Sequence, residues 1–258
     1  MDKSAKPLEE IHTAERAKWD SLAPDDVNKS DILEEEASFQ SVTNNSYLLQ
    51  GIADYFGDLA GKKVLEYGCG LGKNTILLAK AGADVTTFDL SPKSVEYTKK
   101  RSEANGVSDR VEAHVAPAED LPFPNNEFDI VFGQAILHHI DTAAGAPELF
   151  RVTKPGGKVA FTEPLGMNPL LNFVREYVPY PHKHTRGEDH PLKDQDINGW
   201  TAGYSDVRII YIQLLSMLER GLGFGKKLPV LRKADTYLLE RYPALRRYCR
   251  YAVFLMTK

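Results

Sequence analysis

Short β-rich runs alternate with helical runs from residue 63 onward, and this alternation limits the fold more than any other feature. Helical patterns cover 73–81, 92–105 and 142–153. The runs with the composition and the Gly, Pro and Asp borders of strands are KVLEY (63–67), ADVTTFD (83–89), RVEAHVA (110–116), FDIVFG (128–133) and GKVAFTE (157–163). Strands that alternate with helices form parallel sheets, because each crossover helix returns the chain to the same end of the sheet. The sequence therefore predicts an α/β fold.

The 258 residues are expected to form one integrated domain with three parts. Residues 1–60 are predicted to be a helical N-terminal cap, and residues 61–163 hold the strand–helix core. Residues 164–258 begin with a lid loop, rich in Pro, His and charge, that runs to about residue 200. Two closing strands follow, VRIIYIQ (207–213) and YAVFLMT (251–257), and a helical insertion over 214–250 separates them.

Composition excludes several classes of protein. The formal net charge of -4 does not favour nucleic acid as a partner, which usually requires a strongly basic face. The two cysteines, Cys69 and Cys249, have neither metal-ligand spacing nor a disulfide pattern, and no run approaches the length of a membrane span. These features predict a reduced, cytoplasmic protein.

Charge is distributed unevenly along the chain. Residues 1–60 carry 13 acidic against five basic side chains, whereas residues 220–250 carry nine basic against two acidic ones. Solvated helix faces account for such runs in most proteins. A basic amphipathic surface also suits a weak contact with a membrane surface, and this alternative stays open.

A glycine-rich loop follows the first predicted strand, in VLEYGCGLGKNT (64–75). Gly68, Gly70 and Gly72 alternate with other residues just before a helix begins. Glycine permits positive φ angles and close approach of the backbone to a ligand. The dinucleotide fingerprint G-x-G-x-x-G would require its third glycine at position 73, which is lysine. The loop therefore predicts a nucleotide-like ligand and argues against NAD.

Asp89 ends the second predicted strand, about 20 residues after the glycine loop. An acid at that position in open α/β sheets accepts hydrogen bonds from both ribose hydroxyls of a nucleoside. The loop and the acid together predict a ligand that contains a nucleoside.

Four segments, in order over about 100 residues, resemble the class I S-adenosylmethionine-dependent methyltransferases, in particular the small-molecule group called type 11. They are VLEYGCGLG, VTTFDLSP, APAEDLPFPNNEFDIVF and LFRVTKPGGKVAFTEP. The resemblance implies a Rossmann-like, doubly wound, mostly parallel seven-stranded sheet with the last strand antiparallel. It also implies N-terminal helices, a helical cap insertion, S-adenosyl-L-methionine as cofactor and a small-molecule acceptor.

The resemblance also implies roles for individual residues toward this cofactor. Glu66 is expected to face the methionine ammonium, and Asp89 to hold the ribose diol. The remaining expected contacts are the backbone of Gly68, Gly70 and Gly72, the side chain of Leu90 on the adenine, Ala118 and Glu119 at the adenine edge, and the carbonyl of Gln134 near the methionine amino group. The family often has Asp where this chain has Pro117, and Glu119 is expected to substitute for it.

Catalytic candidates follow the fourth predicted strand, in QAILHHI (134–140). His138 and His139 lie where open α/β sheets bind ligands, and histidine is suited to act as a base near neutral pH. The sequence does not separate the two, and a purely structural role stays open for both. Trp19, in a predicted entry helix, is expected to cover the cofactor, either as a cation–π partner of the sulfonium or as core packing.

Other functions compete with a small-molecule methyltransferase. They are a peripheral membrane methyltransferase or lipid-binding module that docks through the basic insertion, an NAD(P)-dependent oxidoreductase, and a non-catalytic cofactor-binding protein. No metal site is predicted, because the histidines of 182–190 lack a tight ligand spacing. The identity of the acceptor, the atom that is methylated and the oligomeric state are not determined by the sequence.

Overall fold

The structure, a computed structural model, describes residues 7–34, 37–178, 190–221 and 228–258, and seven strands within them form one sheet. The strands are, in chain order, β1 (Lys63–Tyr67), β2 (Asp84–Asp89), β3 (Val111–Val115), β4 (Phe128–Gln134), β5 (Thr153–Pro164), β6 (Asp206–Ile212) and β7 (Tyr251–Thr257). They lie in the order β3-β2-β1-β4-β5-β7-β6, and β7 alone runs antiparallel to the other six strands. The predicted sheet is confirmed, including the antiparallel last strand.

Helices surround the sheet and connect most of its strands. They are α1 (Leu8–Leu22), α2 (Phe39–Asn45), α3 (Ile52–Phe56), α4 (Lys73–Lys80), α5 (Pro92–Ala104), α6 (Thr142–Val152), α7 (Pro169–Tyr177), α8 (Asp194–Thr201), α9 (Leu218–Gly221) and α10 (Pro229–Arg241). Two short 3-10 helices, Leu137–His139 and Pro243–Tyr248, lie close to strand ends. The predicted helices over 73–81, 92–105 and 142–153 agree with α4, α5 and α6 to within one residue at each end.

The prediction of a loop over 164–200 was wrong for the described part of that range, which contains α7 and α8. Asn168 caps α7, since its side chain accepts from the backbone N–H groups of Leu170 and Leu171, and Pro169 takes the first helical position. Residues 179–189 of the predicted lid lie outside the described residues.

Each face of the sheet buries its own apolar layer. On one face, Leu65 of β1 and Phe161 of β5 pack with Leu149 of α6 and Trp200 of α8, all of them fully buried. The other face packs against α2, α3 and α4. The two layers together hold the strand ends of the central sheet in fixed positions.

The strand order reverses direction between β1 and β4. The chain moves outward on one side from β1 through β2 to β3, then crosses to β4 on the other side. Ligands of open α/β sheets bind at such a switch point, outside the carboxyl ends of the strands. Here the strands that end at this edge present Tyr67, Asp89 and Gln134.

A buried carboxylate holds the helical insertion to the end of β6. Asp235 of α10 is fully buried and accepts hydrogen bonds from the backbone N–H groups of Leu214 (3.1 Å), Leu215 (2.6 Å) and Ser216 (3.2 Å) and from the Ser216 hydroxyl (2.6 Å). Hydrogen bonds to a charged group are stronger than neutral ones, and they offset the cost of burying it.

Replacement of Asp235 by asparagine is expected to lower the free energy of unfolding by about 1–3 kcal/mol, because the amide turns an N–H donor toward other donors. The measurement is urea denaturation followed by circular dichroism. Glu240→Gln, on the exposed side of the same helix, is the matched control and should stay within about 0.5 kcal/mol of wild type. Equal losses for the two variants would contradict the anchoring role.

Candidate active site

The glycine loop connects β1 to α4 and adopts backbone conformations that residues with a Cβ atom rarely take. Gly68, Gly70 and Gly72 have φ angles of +79°, +48° and +71°. A Cβ atom at position 68 would lie 2.9 Å from the Ile136 side chain, and one at position 72 would lie 2.8 Å from the Thr98 hydroxyl. The loop therefore leaves a bare backbone surface at the switch point of the sheet.

Asp89 ends β2 beside this loop and is 8% exposed. Its carboxylate accepts from the backbone N–H of Gly70 at 3.0 Å and from that of Ser91 at 2.9 Å. The Cys69 thiol lies 3.9 Å from the same oxygen as the Gly70 N–H, which leaves the oxygen bonded to Ser91 with room for a further donor. Burial raises the pKa of Asp89 despite these bonds, and the nearby charge of Glu15 raises it further.

Glu66 lies inside the sheet, at 2% exposure, and points toward α4. Its carboxylate accepts from the Thr75 hydroxyl. Burial raises the pKa of Glu66 to about 8, although hydrogen bonds with Thr75 and Thr87 act in the opposite direction. The expected contact of Glu66 with a ligand ammonium stays a prediction, and the present partner of its carboxylate is the first turn of α4.

Helix α1 closes over the glycine loop. Trp19 lies with a ring atom 3.9 Å from the Cβ position of Gly70, and its indole N–H donates to Glu15 at 3.2 Å. Glu15 is itself only 9% exposed and lies 3.3 Å from His139. Burial acts to raise the pKa of Glu15, but the hydrogen bond and charge of His139, together with Lys18 and Trp19, lower it overall. A buried carboxylate on the covering helix therefore faces the loop.

Further contacts fix α1 to the rim of the site. His12 lies 3.1 Å from the Glu119 carboxylate, and Arg16 donates to the Leu90 carbonyl at 3.2 Å. Asp20 accepts from the Ser91 hydroxyl at 2.5 Å. The predicted position of Trp19 in a helix at the glycine loop agrees with this placement, whereas its contact with a sulfonium stays a prediction.

The other residues expected to contact the cofactor lie on the same edge of the sheet. Ala118 is buried, and its carbonyl accepts from the Tyr67 hydroxyl at 3.1 Å. Glu119 also accepts from the backbone N–H of Asp141 at 3.3 Å, and the exposed Gln134 side chain accepts from Asn74 at 3.3 Å. The fold brings this set together, but the contact assigned to each residue stays a prediction.

Glu163, at the end of β5, organises the turn after β4, and sequence reasoning missed this role. The carboxylate is fully buried and accepts from the backbone N–H groups of Ile136 (2.8 Å) and Leu137 (2.9 Å). Its other oxygen lies 2.8 Å from Nδ1 of His138. An acid at the end of the otherwise apolar run VAFTE is the sequence signal that points to such a role.

The two histidines have different partners. The imidazole of His138 is held by Glu163 in the body of the sheet, while that of His139 faces Glu15 in α1. Their ring centroids are 4.0 Å apart. A carboxylate on Nδ1 selects the tautomer in which Nε2 is the basic nitrogen, so the pair of Glu163 and His138 has the arrangement of a positioned base.

These groups suit a ligand with positive charge and a ribose. Glu15, Glu66 and Asp89 bring three buried carboxylates to the loop, and burial opposes their ionisation. A cation at this place would favour the charged form of each. S-adenosylmethionine, with its ammonium, sulfonium and ribose diol, matches this set of carboxylates and the bare loop. In the described part of the chain, no group of three His, Cys, Asp or Glu side chains is arranged to hold a metal ion.

Residues 65–161 match a family described as "Methyltransferase domain". Curated relatives include 27-O-demethylrifamycin SV methyltransferase of Amycolatopsis mediterranei (strain S699), 32% identical over 55% of this chain and 55% of that protein. Ubiquinone biosynthesis O-methyltransferase of Bordetella avium (strain 197N) is 35% identical over 48% of this chain and 52% of that protein. The chain thus spans about half the length of these relatives.

Solved structures share the fold over nearly the whole chain. The geranyl diphosphate C-methyltransferase of Streptomyces coelicolor A3(2) has a TM-score of 0.66, covers 97% of this chain and 99% of its own, and is 14% identical. The cyclase SpnF has a TM-score of 0.54 at 20% identity, over 88% of this chain and 84% of its own. At these identities the likeness establishes the fold, which serves more than one reaction.

Glu66 makes the stability of the protein depend on pH in a way that can be measured. Its pKa is about 8 in the folded chain against an ordinary value of 4.5, so between these values the folded state holds a proton that the unfolded state releases. The free energy of unfolding therefore falls as pH rises through this window. Glu66→Gln mimics the protonated form, so its free energy of unfolding should not fall in this way. The difference in the free energy of unfolding between Glu66→Gln and wild type is expected to increase, in favour of the variant, by at least about 1 kcal/mol from pH 5 to pH 8.

Urea denaturation across this pH range measures the difference. Glu103→Gln, at an exposed position of α5, serves as the control and should keep the pH dependence of the wild type. Parallel curves for wild type and Glu66→Gln would contradict a protonated Glu66.

Proposed function

We propose that this chain, whose residues 65–161 match a methyltransferase domain family, transfers a methyl group from S-adenosylmethionine to a small acceptor of apolar or aromatic character. One observation carries the proposal: the glycine loop, Asp89 and the pair of Glu163 and His138 meet at one edge of the sheet. The loop and Asp89 would then hold the cofactor next to His138, the base for the same reaction.

The cofactor, when bound, supplies a methyl group on a positively charged sulfur. His138 would take, at Nε2, the proton that an acceptor hydroxyl or amine loses on methylation. Glu163 keeps Nδ1 as the donor nitrogen and stabilises the imidazolium that forms. It is a positioning residue, because it acts through His138.

Helix α1 contributes by holding the reactants together and keeping water away. Trp19 covers the glycine loop, and the contact of Glu15 with His139 ties the helix to the turn that carries His138. Charge on a sulfonium is dispersed as the methyl group leaves, so a site with little water favours the reaction. Orientation of the two reactants supplies much of the remaining rate increase.

The names of relatives support a small acceptor. They include O-methyltransferases of rifamycin and ubiquinone biosynthesis and a geranyl diphosphate C-methyltransferase. In this chain the helical insertion, between the end of β6 and the start of β7, lies at the carboxyl edge, where Leu239 and Leu214 are buried and Leu238 and Leu245 pack on the core. We place the acceptor between this insertion and the turn of His138.

A cytoplasmic location is part of the proposal and rests on the cysteines. Cys69 and Cys249 are both free and buried, as in proteins of reducing compartments. In the described part of the chain, no helix is both long and apolar enough to cross a membrane.

Variants of Glu163 and His138 distinguish a catalytic base from a histidine with a purely structural role. With phenols, hydroquinones and amines that carry apolar substituents as acceptors, we expect release of S-adenosylhomocysteine by the wild type. His138→Ala should lower kcat by about 10²- to 10⁴-fold with cofactor affinity retained, and the acidic limb of its pH–rate profile should disappear. Glu163→Gln should also lower kcat, with little change in KM.

His114→Gln is the control, because this partly exposed histidine on β3 has Glu112 as its ion-pair partner rather than a residue of the site. His139→Ala should mainly weaken cofactor binding, since it releases α1, and should keep the acidic limb. A His138→Ala variant with near-native kcat would show that orientation alone accounts for the rate. No product from any acceptor, with the cofactor bound, would contradict the proposed reaction.

A further inference from the structure

Helix α7 has its apolar side turned to solvent. Leu170, Phe173 and Tyr177 are spaced three and four residues apart, which places them on one face, and they are 69%, 56% and 62% exposed. The rings of Phe173 and Tyr177 lie 5.0 Å apart. A surface helix normally buries its apolar stripe and exposes its polar one, so this arrangement requires a reason.

The polar side of α7 is the side bonded to the protein. Asn172 donates to the Gly166 carbonyl at 2.7 Å, and Arg175 donates to the Leu165 carbonyl at 3.0 Å. These bonds fix the orientation of the helix, so the exposed apolar face is built into the fold.

Helix α10 also has two different faces. Its inner face is held by Asp235 and by Arg232, which pairs with Glu219 at 2.8 Å and lies over the Tyr47 ring. The outer face runs Val230, Lys233, Tyr237 and Arg241, with Val230 and Tyr237 69% and 65% exposed. Apolar and basic side chains thus alternate along one exposed stripe.

The two helices belong to the same edge of the molecule. Asn168, which caps α7, donates to the Tyr248 carbonyl at 2.7 Å, and the Leu165 N–H donates to the Arg250 carbonyl at 2.8 Å. The start of α7 therefore lies beside the end of the 3-10 helix Pro243–Tyr248 that follows α10. We name this surface the edge face; its exposed members are Leu170, Phe173, Tyr177, Val230, Lys233, Tyr237, Arg241, Tyr242, Arg246, Arg247 and Tyr248.

The edge face is basic on a protein that is acidic overall. Residues 228–250 hold six Lys and Arg against two Asp and Glu, a net charge of +4, while the whole chain has -4. Among the described residues, no carboxylate lies within ion-pair distance of Lys233, Arg241, Arg246 or Arg247. Arg241 and Arg247 instead lie over the rings of Tyr242 and Tyr248.

We propose that the edge face docks on an anionic lipid surface. Exposed apolar and aromatic side chains beside Lys and Arg are what an in-plane interfacial surface requires, because the apolar groups enter the headgroup boundary and the cations meet lipid phosphates. A second copy of the chain suits this surface poorly, since a two-fold contact would set like charges against each other.

Docking would also orient the candidate active site. Helix α7 follows β5, which ends next to Glu163, and the insertion borders the same edge. If the proposed function holds, an apolar acceptor dissolved in the bilayer reaches the site without crossing water. Lipid binding itself does not depend on methyl transfer. Vesicle binding and methyl transfer therefore test the two proposals separately, and either can fail while the other holds.

Co-sedimentation with vesicles tests the docking. We expect the full chain to bind vesicles of phosphatidylcholine with about one-third phosphatidylglycerol at least tenfold more strongly than phosphatidylcholine alone, and added salt should weaken the binding. Lys233→Glu with Arg241→Glu should reduce binding to the anionic vesicles by at least about tenfold. Lys62→Glu with Lys99→Glu makes the same charge change at exposed positions away from the edge face and should stay within about twofold.

The apolar contribution is tested separately by Leu170→Ser with Phe173→Ser, which should also lose about tenfold. Both side chains are more than half exposed, so an unchanged melting temperature verifies that the variant is folded. Equal binding to both kinds of vesicle, an equal loss in the two charge variants, or full binding by the serine variant would overturn the proposal. A dimer of the wild type, seen by sedimentation velocity and abolished by the serine changes, would assign the face to a second copy and would also overturn it.

Discussion

The Glu163 carboxylate, buried at the end of β5, is the interaction on which the candidate site depends. An ionised carboxylate with no access to water costs several kcal/mol unless hydrogen bonds offset the loss. Two backbone N–H groups and the His138 ring provide those bonds. They hold the turn after β4, where Ala135 adopts a φ of +56°, a left-handed conformation that is unfavourable for alanine. Fixing this turn places His138 and the carbonyl groups beyond β4 at the switch point of the sheet.

Helix α1 completes the site with contacts that span the chain. His12 meets Glu119, Arg16 meets the Leu90 carbonyl, and Glu15 meets His139, each across more than 70 positions in sequence. These bonds fix α1 against the turn after β4 and the rim of the glycine loop. The structure thus combines a histidine held by the sheet with a helix that covers the glycine loop.

Much of the fold follows from local patterns, and much of the site does not. The strands are apolar runs with clear borders, so their positions were predicted to within a few residues, and the glycine loop and Asp89 lie together at one edge of the sheet because both follow strand ends. Glu163 was missed because its partners become neighbours only when β4 and β5 pair. The histidines could not be separated for the same reason, since their different carboxylates come from β5 and α1. The exposed apolar face of α7 was also missed, because residues 164–200 were expected to form a loop.

We propose that the glycine loop and Asp89 bind the adenosyl part of S-adenosylmethionine. The most direct test is calorimetric titration of S-adenosylhomocysteine into the wild type, Asp89→Ala and Asp84→Ala. Asp84 is the matched control, because it begins the same strand at an exposed position. We predict one site per chain, an affinity reduced by about 2–4 kcal/mol in Asp89→Ala, and no change in Asp84→Ala. Binding of equal strength to folded wild type and Asp89→Ala, or none to the wild type, would contradict the account.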